Sequence, residues 1–171
     1  VNRILTDHAS TLCLCPTQTA VATLANEGIV GEFVGDVMLD CLNKFLPPPR
    51  PGDEEYFLAT IHRPKNTDTP ARMTAIFDAL EQLPHKVYLP LHPRTKRPLG
   101  FNNVHTLNPL PYVSMLAMIR DARMVLTDSG GVQKEAYFLG VPCVTLREET
   151  EWPETVNEGW NILAGATTSS I

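Results

Sequence analysis

From Tyr56 onward, short apolar runs alternate with longer stretches whose apolar residues recur at helical spacing, and this alternation restricts the possible folds more than any other feature. Residues 56–62, 87–91, 104–107, 124–127 and 143–146 read as strands. Between them, 70–83, 113–122 and 131–139 read as helices; the first carries Met73, Ile76, Phe77 and Leu80 on one face, and Gly140 closes the last as a C-cap. Strands separated by helix-length crossovers pair in parallel. The expected fold class is therefore α/β, a parallel sheet with helices on both faces. Ligands of such sheets bind beyond the carboxyl ends of the strands, so polar residues there carry the functional argument.

The first 46 residues read separately. Residues 11–17 alternate as a half-buried strand does, 18–27 space their apolar residues for a helix stopped at Gly28, 31–37 suggest a short strand, and 38–45 a helical turn or two. Pro47-Pro48-Pro49-Arg50-Pro51-Gly52 then interrupts any regular element, because consecutive prolines lack backbone donors and hold the chain extended. A domain boundary is expected there, dividing residues 1–46 from 47–171. The start at Val1-Asn2-Arg3, without methionine, reads as a cut through a longer protein.

Composition narrows the partners. The 171 residues include 14 basic and 19 acidic side chains, a formal charge of −5, which argues against nucleic acid or an acidic membrane surface. Any phosphate must be met locally. The apolar runs are strand-sized, well short of the roughly 20 residues that cross a bilayer, and no secretory signal opens the chain. The 4 cysteines form neither a CxxC pair nor a zinc set, and read as reduced core residues of a cytoplasmic protein.

The strongest local signal is Val125-Leu126-Thr127-Asp128-Ser129-Gly130-Gly131-Val132-Gln133-Lys134-Glu135-Ala136. An apolar strand running through Ser-Gly-Gly directly into a helix aims unpaired amides and the positive end of the helix dipole at one point, which suits a phosphate. Ser129 adds a hydroxyl, the two glycines permit close approach, and Glu135 could accept hydrogen bonds from a ribose diol. The plainer alternative makes Asp128 or Ser129 a simple cap and Glu135 a solvated residue. Thr60-Ile61-His62-Arg63-Pro64-Lys65-Asn66 ends another strand in a histidine and cations, and Leu91-His92-Pro93-Arg94-Thr95-Lys96-Arg97 repeats the arrangement on the next. His62 could serve as general acid or base, or as a donor to a leaving phosphate. Equally, these could be loop histidines among surface cations. After the last of these strands, Arg147-Glu148-Glu149-Thr150-Glu151-Trp152-Pro153-Glu154 offers carboxylates for a metal, for diols or for a solvated helix start, and an indole suited to covering a pocket. No GxG, Gly-Lys-Ser/Thr or GxSxG occurs, so dinucleotide, P-loop and hydrolase-elbow signatures are absent.

Taken together, His62 through Asn66, His92-Pro93, Tyr112, Thr127 through Ala136 and Arg147 through Glu154 resemble the non-hydrolysing UDP-N-acetylglucosamine 2-epimerases, as do Asn2-Arg3, Thr6-Asp7-His8 and Val34-Gly35-Asp36. The resemblance implies a Rossmann-like half of a GT-B-like two-domain fold: residues 1–46 would be the last elements of the first domain, and 47–171 the UDP-binding domain. It implies interconversion of UDP-GlcNAc and UDP-ManNAc by elimination and re-addition of UDP, with neither nicotinamide nor metal, in a cytoplasmic homodimer that supplies cell-surface polysaccharide precursors. By position, Ser129 with the Gly130 and Gly131 amides would hold the diphosphate and Glu135 the ribose. His62 would be catalytic, with Arg63, His92 and Arg147 also binding substrate. The family's proton-transfer carboxylates belong to the first domain, so residues 1–171 alone are expected to be inactive. Two departures stand out: Trp152 replaces a nucleotide-contacting arginine, and Lys65 reverses a charge. Glu-Thr-Glu-Trp also resembles the branch acting on UDP-diacetamido-uronic acids, and a glycosyltransferase using the same domain to hold its UDP-sugar is the further alternative.

Overall fold

The computed structural model of the chain describes every residue except Val1, Arg50, Pro51, Asp53, Arg94 and 96–99. The chain divides into two compact units, Val1–Lys44 and Phe45–Ile171.

In the first unit α1 (Asn2–Ala9) leads to β1 (Cys13–Cys15), α2 (Gln18–Asn26), β2 (Gly31–Phe33) and most of α3 (Val37–Phe45). β1 and β2 pair in parallel, Cys13 opposite Gly31 and Cys15 opposite Phe33. The strand expected over 11–17 shortens at its far end because the Thr17 side chain has already turned to accept the N–H of Ala20 as the cap of α2. The helix α1, absent from the sequence reading, is tied to the end of α2 by Arg3, which pairs with Asp7 at 2.6 Å and Glu27 at 2.5 Å. Gly31 fits only without a side chain: a Cβ there would stand 2.6 Å from Cys15 Sγ and 2.8 Å from Leu24 Cδ1.

The second unit runs β3 (Tyr56–Thr60), α4 (Pro64–Thr67), α5 (Pro70–Glu81), β4 (Lys86–Pro90), β5 (Val104–Leu107), α6 (Tyr112–Asp121), β6 (Met124–Thr127), α7 (Gly130–Phe138), β7 (Cys143–Thr145), α8 (Pro153–Asn157) and β8 (Asn161–Leu163). All six strands are parallel, in the order β5-β4-β3-β6-β7-β8. Counted within the unit this is the 3-2-1-4-5-6 order of a Rossmann-like sheet. Alternate strand residues fill two cores. Phe57, Ala59, Ile61 and Leu126 pack with Ile76, Phe77 and Leu80 of α5, whereas Leu58, Val125 and Cys143 pack with Ile119 of α6 and Ala136 of α7. Each such large apolar side chain contributes about 1.5–3 kcal/mol through burial. The two cores are the reason helices cover both faces of the sheet.

Three elements of this unit go beyond the sequence reading: α4 and α8, each begun by a proline in its first turn, and the edge strand β8. The cysteines are free. Cys15 and Cys143 are buried, Cys13 and Cys41 half-buried, and burial pushes the Cys143 thiol up to about 12, which leaves it inert at neutral pH. Among the described residues no helix is long and apolar enough to cross a membrane.

The position of β3 beside β6 fixes where a ligand can enter. From β3 the chain crosses through α5 on one face, and from β6 through α7 on the other. The chain therefore parts at the carboxyl ends of these two strands and leaves a crevice there.

Candidate functional site

Thr60 at the end of β3 lies opposite Thr127 at the end of β6, so His62-Arg63 and Asp128-Ser129 leave the sheet side by side. Asp128 is fully buried, and its carboxylate organises the junction. It accepts the backbone N–H of His62 at 2.9 and 3.1 Å, the backbone N–H of Arg63 at 2.9 Å and the Asn66 amide at 3.0 Å. Asn66, also buried, donates in addition to the Leu146 carbonyl and accepts from Arg72. Among the described residues this carboxylate is held by neutral hydrogen-bond donors, with no lysine or arginine side chain paired to it. The strand reading fixed His62 and Ser129 at strand ends, but Asp128 read only as a helix cap; its partners lie more than sixty residues away in sequence, and no local pattern signals them.

His62 Nδ1 stands 3.3 Å from Asp128 Oδ1, and the His92 ring lies 5.1 Å away, tilted by 35°. Burial depresses the His62 pKa below its ordinary value; Asp128 opposes that shift, while His92 and Arg63 reinforce it. The free imidazole is thus held neutral near pH 7, beside a carboxylate that can receive it if it becomes charged.

At the start of α7 the backbone is shaped for an anion. The N–H of Ser129 donates to Thr127 Oγ1 at 2.9 Å, and Ser129 Oγ caps the helix by accepting the Val132 N–H at 3.5 Å. The hydroxyl keeps its own proton for another acceptor. The N–H groups of Gly130 and Gly131 have no protein partner among the described residues. A cavity of about 200 Å³ opens beside Ser129, lined by His62, His92 and Ser129 together with apolar residues that include Leu110, Met115 and Val132.

Arg63, Arg147 and Glu135 do not line this cavity. Arg63 and Arg147 converge on Glu151, at 3.6 and 2.8 Å, and Glu151 Oε2 lies 3.1 Å from where a Cβ on Gly130 would stand. Arg147 lines a neighbouring hollow of about 170 Å³ with Arg63, Lys65 and Glu148. Lys65 and Arg72 both pair with Glu148, at 2.8 and 2.7 Å, and hold its carboxyl down at about 2. Glu135 is buried on α7; burial raises its pKa, and a hydrogen bond with the Tyr112 side chain lowers it. Arg94, Lys96 and Arg97 lie outside the described residues.

Trp152, expected to cover a pocket, turns to α7 instead. Its indole N–H donates to the Gly130 carbonyl at 2.8 Å, and the buried Lys134 ammonium sits 3.8 Å from its ring centroid while pairing with Glu154 at 3.0 Å. The carboxylates of 148–154 are largely engaged with cations: Glu148 with Lys65 and Arg72, Glu151 with the two arginines, Glu154 with Lys134.

The strand order, with a helix that starts at Gly130-Gly131 where it reverses, defines a Rossmann-like domain. The chain belongs to the UDP-N-acetylglucosamine 2-epimerase family, whose model matches residues 1–171. It is 43% identical to a UDP-N-acetylglucosamine 2-epimerase homolog of Methanococcus maripaludis, covering 100% of this chain and 54% of that protein. It is also 43% identical to the UDP-2,3-diacetamido-2,3-dideoxy-D-glucuronate 2-epimerase of Pseudomonas aeruginosa, covering 100% of this chain and 53% of that one. The crystal structure of Methanocaldococcus jannaschii UDP-GlcNAc 2-epimerase in complex with UDP-GlcNAc and UDP superposes with a TM-score of 0.84 at 33% identity, over 99% of this chain and 54% of that one. In fold alone the chain also resembles the glycosyltransferase SnogD of Streptomyces nogalater, at a TM-score of 0.53 over 83% of this chain and 36% of that one. The chain spans about half the length of the curated relatives it matches.

Proposed function

We propose that this chain forms the UDP-binding part of a UDP-sugar 2-epimerase, with residues 1–46 completing the preceding domain of the whole protein. The observation that carries the reading is that His62 and Ser129 line one cavity at the strand switch point, with two unpartnered glycine amides following Ser129 at the start of α7. In this reading the diphosphate rests on Ser129, Gly130 and Gly131, and Glu135 accepts from the ribose. Arg63, His92 and Arg147 add donors and positive charge around the phosphates.

The reaction is an elimination followed by its reverse on the other face. A base in the preceding domain removes the proton at C2, those electrons form the C1–C2 double bond, and the C1–O bond breaks toward UDP. Negative charge then grows on the departing β-phosphate, and fixed donors that need no reorganisation stabilise it. His62, neutral before binding, takes up a proton beside the diphosphate; Asp128 stabilises that imidazolium, which donates to the leaving oxygen and, on protonating it, returns to the neutral imidazole. Re-addition of UDP after protonation of C2 from the opposite face completes the inversion.

The test is the full-length protein incubated with UDP-GlcNAc in deuterated water and followed by proton NMR. UDP-ManNAc should appear with deuterium at C2; transfer of the sugar to an acceptor with C2 unexchanged would favour a glycosyltransferase instead. Residues 1–171 alone should bind UDP and turn over nothing. A second reading, action on UDP-2,3-diacetamido-2,3-dideoxy-glucuronate, is favoured by the 43% identity to the Pseudomonas aeruginosa enzyme against 28–37% for the relatives named plainly as UDP-N-acetylglucosamine 2-epimerases. Running both sugars in the same assay decides between them. We further propose that the whole protein works in the cytoplasm as a homodimer, supplying cell-surface polysaccharide precursors.

A further inference from the structure

The indole of Trp152 grips the backbone of the Ser-Gly-Gly turn at the Gly130 carbonyl. Its N–H donates to the Gly130 carbonyl at 2.8 Å. That carbonyl and the N–H of Gly131 belong to a single planar peptide unit and point in opposite directions. A bond to the oxygen therefore sets the direction of the N–H. It also polarises the amide, which strengthens the N–H as a donor in a low-dielectric setting.

The need for such a grip follows from the sequence. With glycine on both sides, the Gly130–Gly131 peptide has the least steric restraint on rotation that a chain can offer. Both glycines stand in the first turn of α7, where a helix frays most readily, and a second bond to the Gly130 carbonyl adds to the helix in holding this peptide. The indole is itself firmly held: the Trp152 backbone N–H donates to Thr150 Oγ1 at 3.1 Å, its carbonyl accepts the Thr155 hydroxyl at 2.8 Å, and Lys134 Nζ sits over its ring at 3.8 Å. A cation over the ring face withdraws electron density and makes the indole N–H a stronger donor. Thr155 is fully buried, so this support is part of the fold and does not depend on a mobile loop.

We infer that Trp152 is a positioning residue for diphosphate recognition: it fixes the Gly130–Gly131 peptide so that the Gly131 amide faces the phosphate corner. The inference rests on the UDP-sugar reading above for the identity of the ligand. In this inference Trp152 acts through one peptide bond, by way of the Gly130 carbonyl.

The test uses the full-length protein with Trp152→Phe, and with Trp152 replaced by 3-benzothienylalanine, which keeps the indole shape and lacks the N–H. Affinities for UDP and for uridine are measured by calorimetry, and the Gly131 amide resonance by NMR. Both variants should lose roughly fivefold to tenfold in UDP affinity, the scale of one hydrogen bond, with uridine affinity unchanged and the Gly131 amide proton shifted upfield in the free protein. Equal losses for UDP and uridine, or an unmoved Gly131 resonance, would overturn the inference and leave the family function standing. Failure of the unsubstituted protein to bind UDP would instead remove the functional reading itself.

Discussion

The carboxylate of Asp128 accepts the backbone N–H of His62 through both oxygens, at 2.9 and 3.1 Å. Asp128 follows β6 and His62 follows β3, so one buried side chain fixes the two strand ends on either side of the crevice. Because the bonds run to main chain, they set the position of residue 62 whatever its side chain does. The histidine ring then needs only its own torsions to reach the cavity.

Replacing Asp128 by Asn should therefore damage the fold locally before it damages chemistry. The asparagine NH₂ would face N–H donors of His62, Arg63 and Asn66, leaving at least one of them unpaired in a buried site. A cost of about 2–4 kcal/mol is expected, the range for losing a buried acceptor with charged hydrogen bonds. Urea denaturation gives the figure; a loss below about 0.5 kcal/mol would contradict the organising role assigned to this carboxylate.

His62 should link nucleotide binding to pH. Burial lowers its pKa from 6.5 in the free protein, and a diphosphate beside it would raise it again, so binding draws in a proton. UDP affinity should rise as pH falls from about 7.5 to 6, with up to about one proton taken up. Calorimetry in buffers of different protonation enthalpy measures this, and His62→Gln subtracts the ligand's own titration. The sign for stability is opposite. The contribution from the depressed histidine is present above pH 6.5 and declines as pH falls through the lower folded value, because the unfolded chain binds the proton first.

The amino-acid pattern reveals the strands of the second unit because each is a short apolar run, and reveals His62, Ser129 and Arg147 because polar residues at strand ends are conspicuous. Strand order is less visible: nothing local says that β6 returns beside β3, which follows only from crossovers packing on opposite faces. β8 was hidden because Asn161-Ile162-Leu163 is three residues long and opens with a buried asparagine that bonds Thr145 and Thr155. The roles of Asp128 and Trp152 are hidden for a similar reason. Each has a plausible local role, as a cap or a pocket cover, and each spends its side chain on the backbone of another element.

Ser129→Ala should separate the cap from the ligand. The cap bond to Val132 is long at 3.5 Å, so stability should fall by no more than about 1 kcal/mol. The lost phosphate donor should weaken UDP binding by about 1–3 kcal/mol. Glu135→Ala should weaken it by a similar amount through the ribose. Calorimetric affinities equal to that of the unsubstituted protein would remove both residues from the site.

Two glycines with opposite surroundings give a direct contrast. At Gly31 an added methyl meets Cys15 Sγ at 2.6 Å and Leu24 Cδ1 at 2.8 Å, both on buried side chains with no space to retreat. Gly31→Ala should therefore destabilise its unit by about 1–3 kcal/mol, the usual range for overpacking. At Gly130 the nearest atom is Glu151 Oε2 at 3.1 Å, the far end of a half-exposed side chain that can move a few tenths of an ångström. Gly130→Ala also removes a helix-disfavouring glycine, a gain of up to about 1 kcal/mol, so the protein should fold at least as stably as before. The same methyl stands 3.5 Å from the Trp152 indole nitrogen that holds the Gly130 carbonyl, so in the proposed reading it disturbs the turn that receives the phosphates, and UDP affinity should fall even though the fold is intact. Paired denaturation and binding curves check this; a Gly130→Ala protein that binds UDP normally would mean that the phosphates do not rest against this turn.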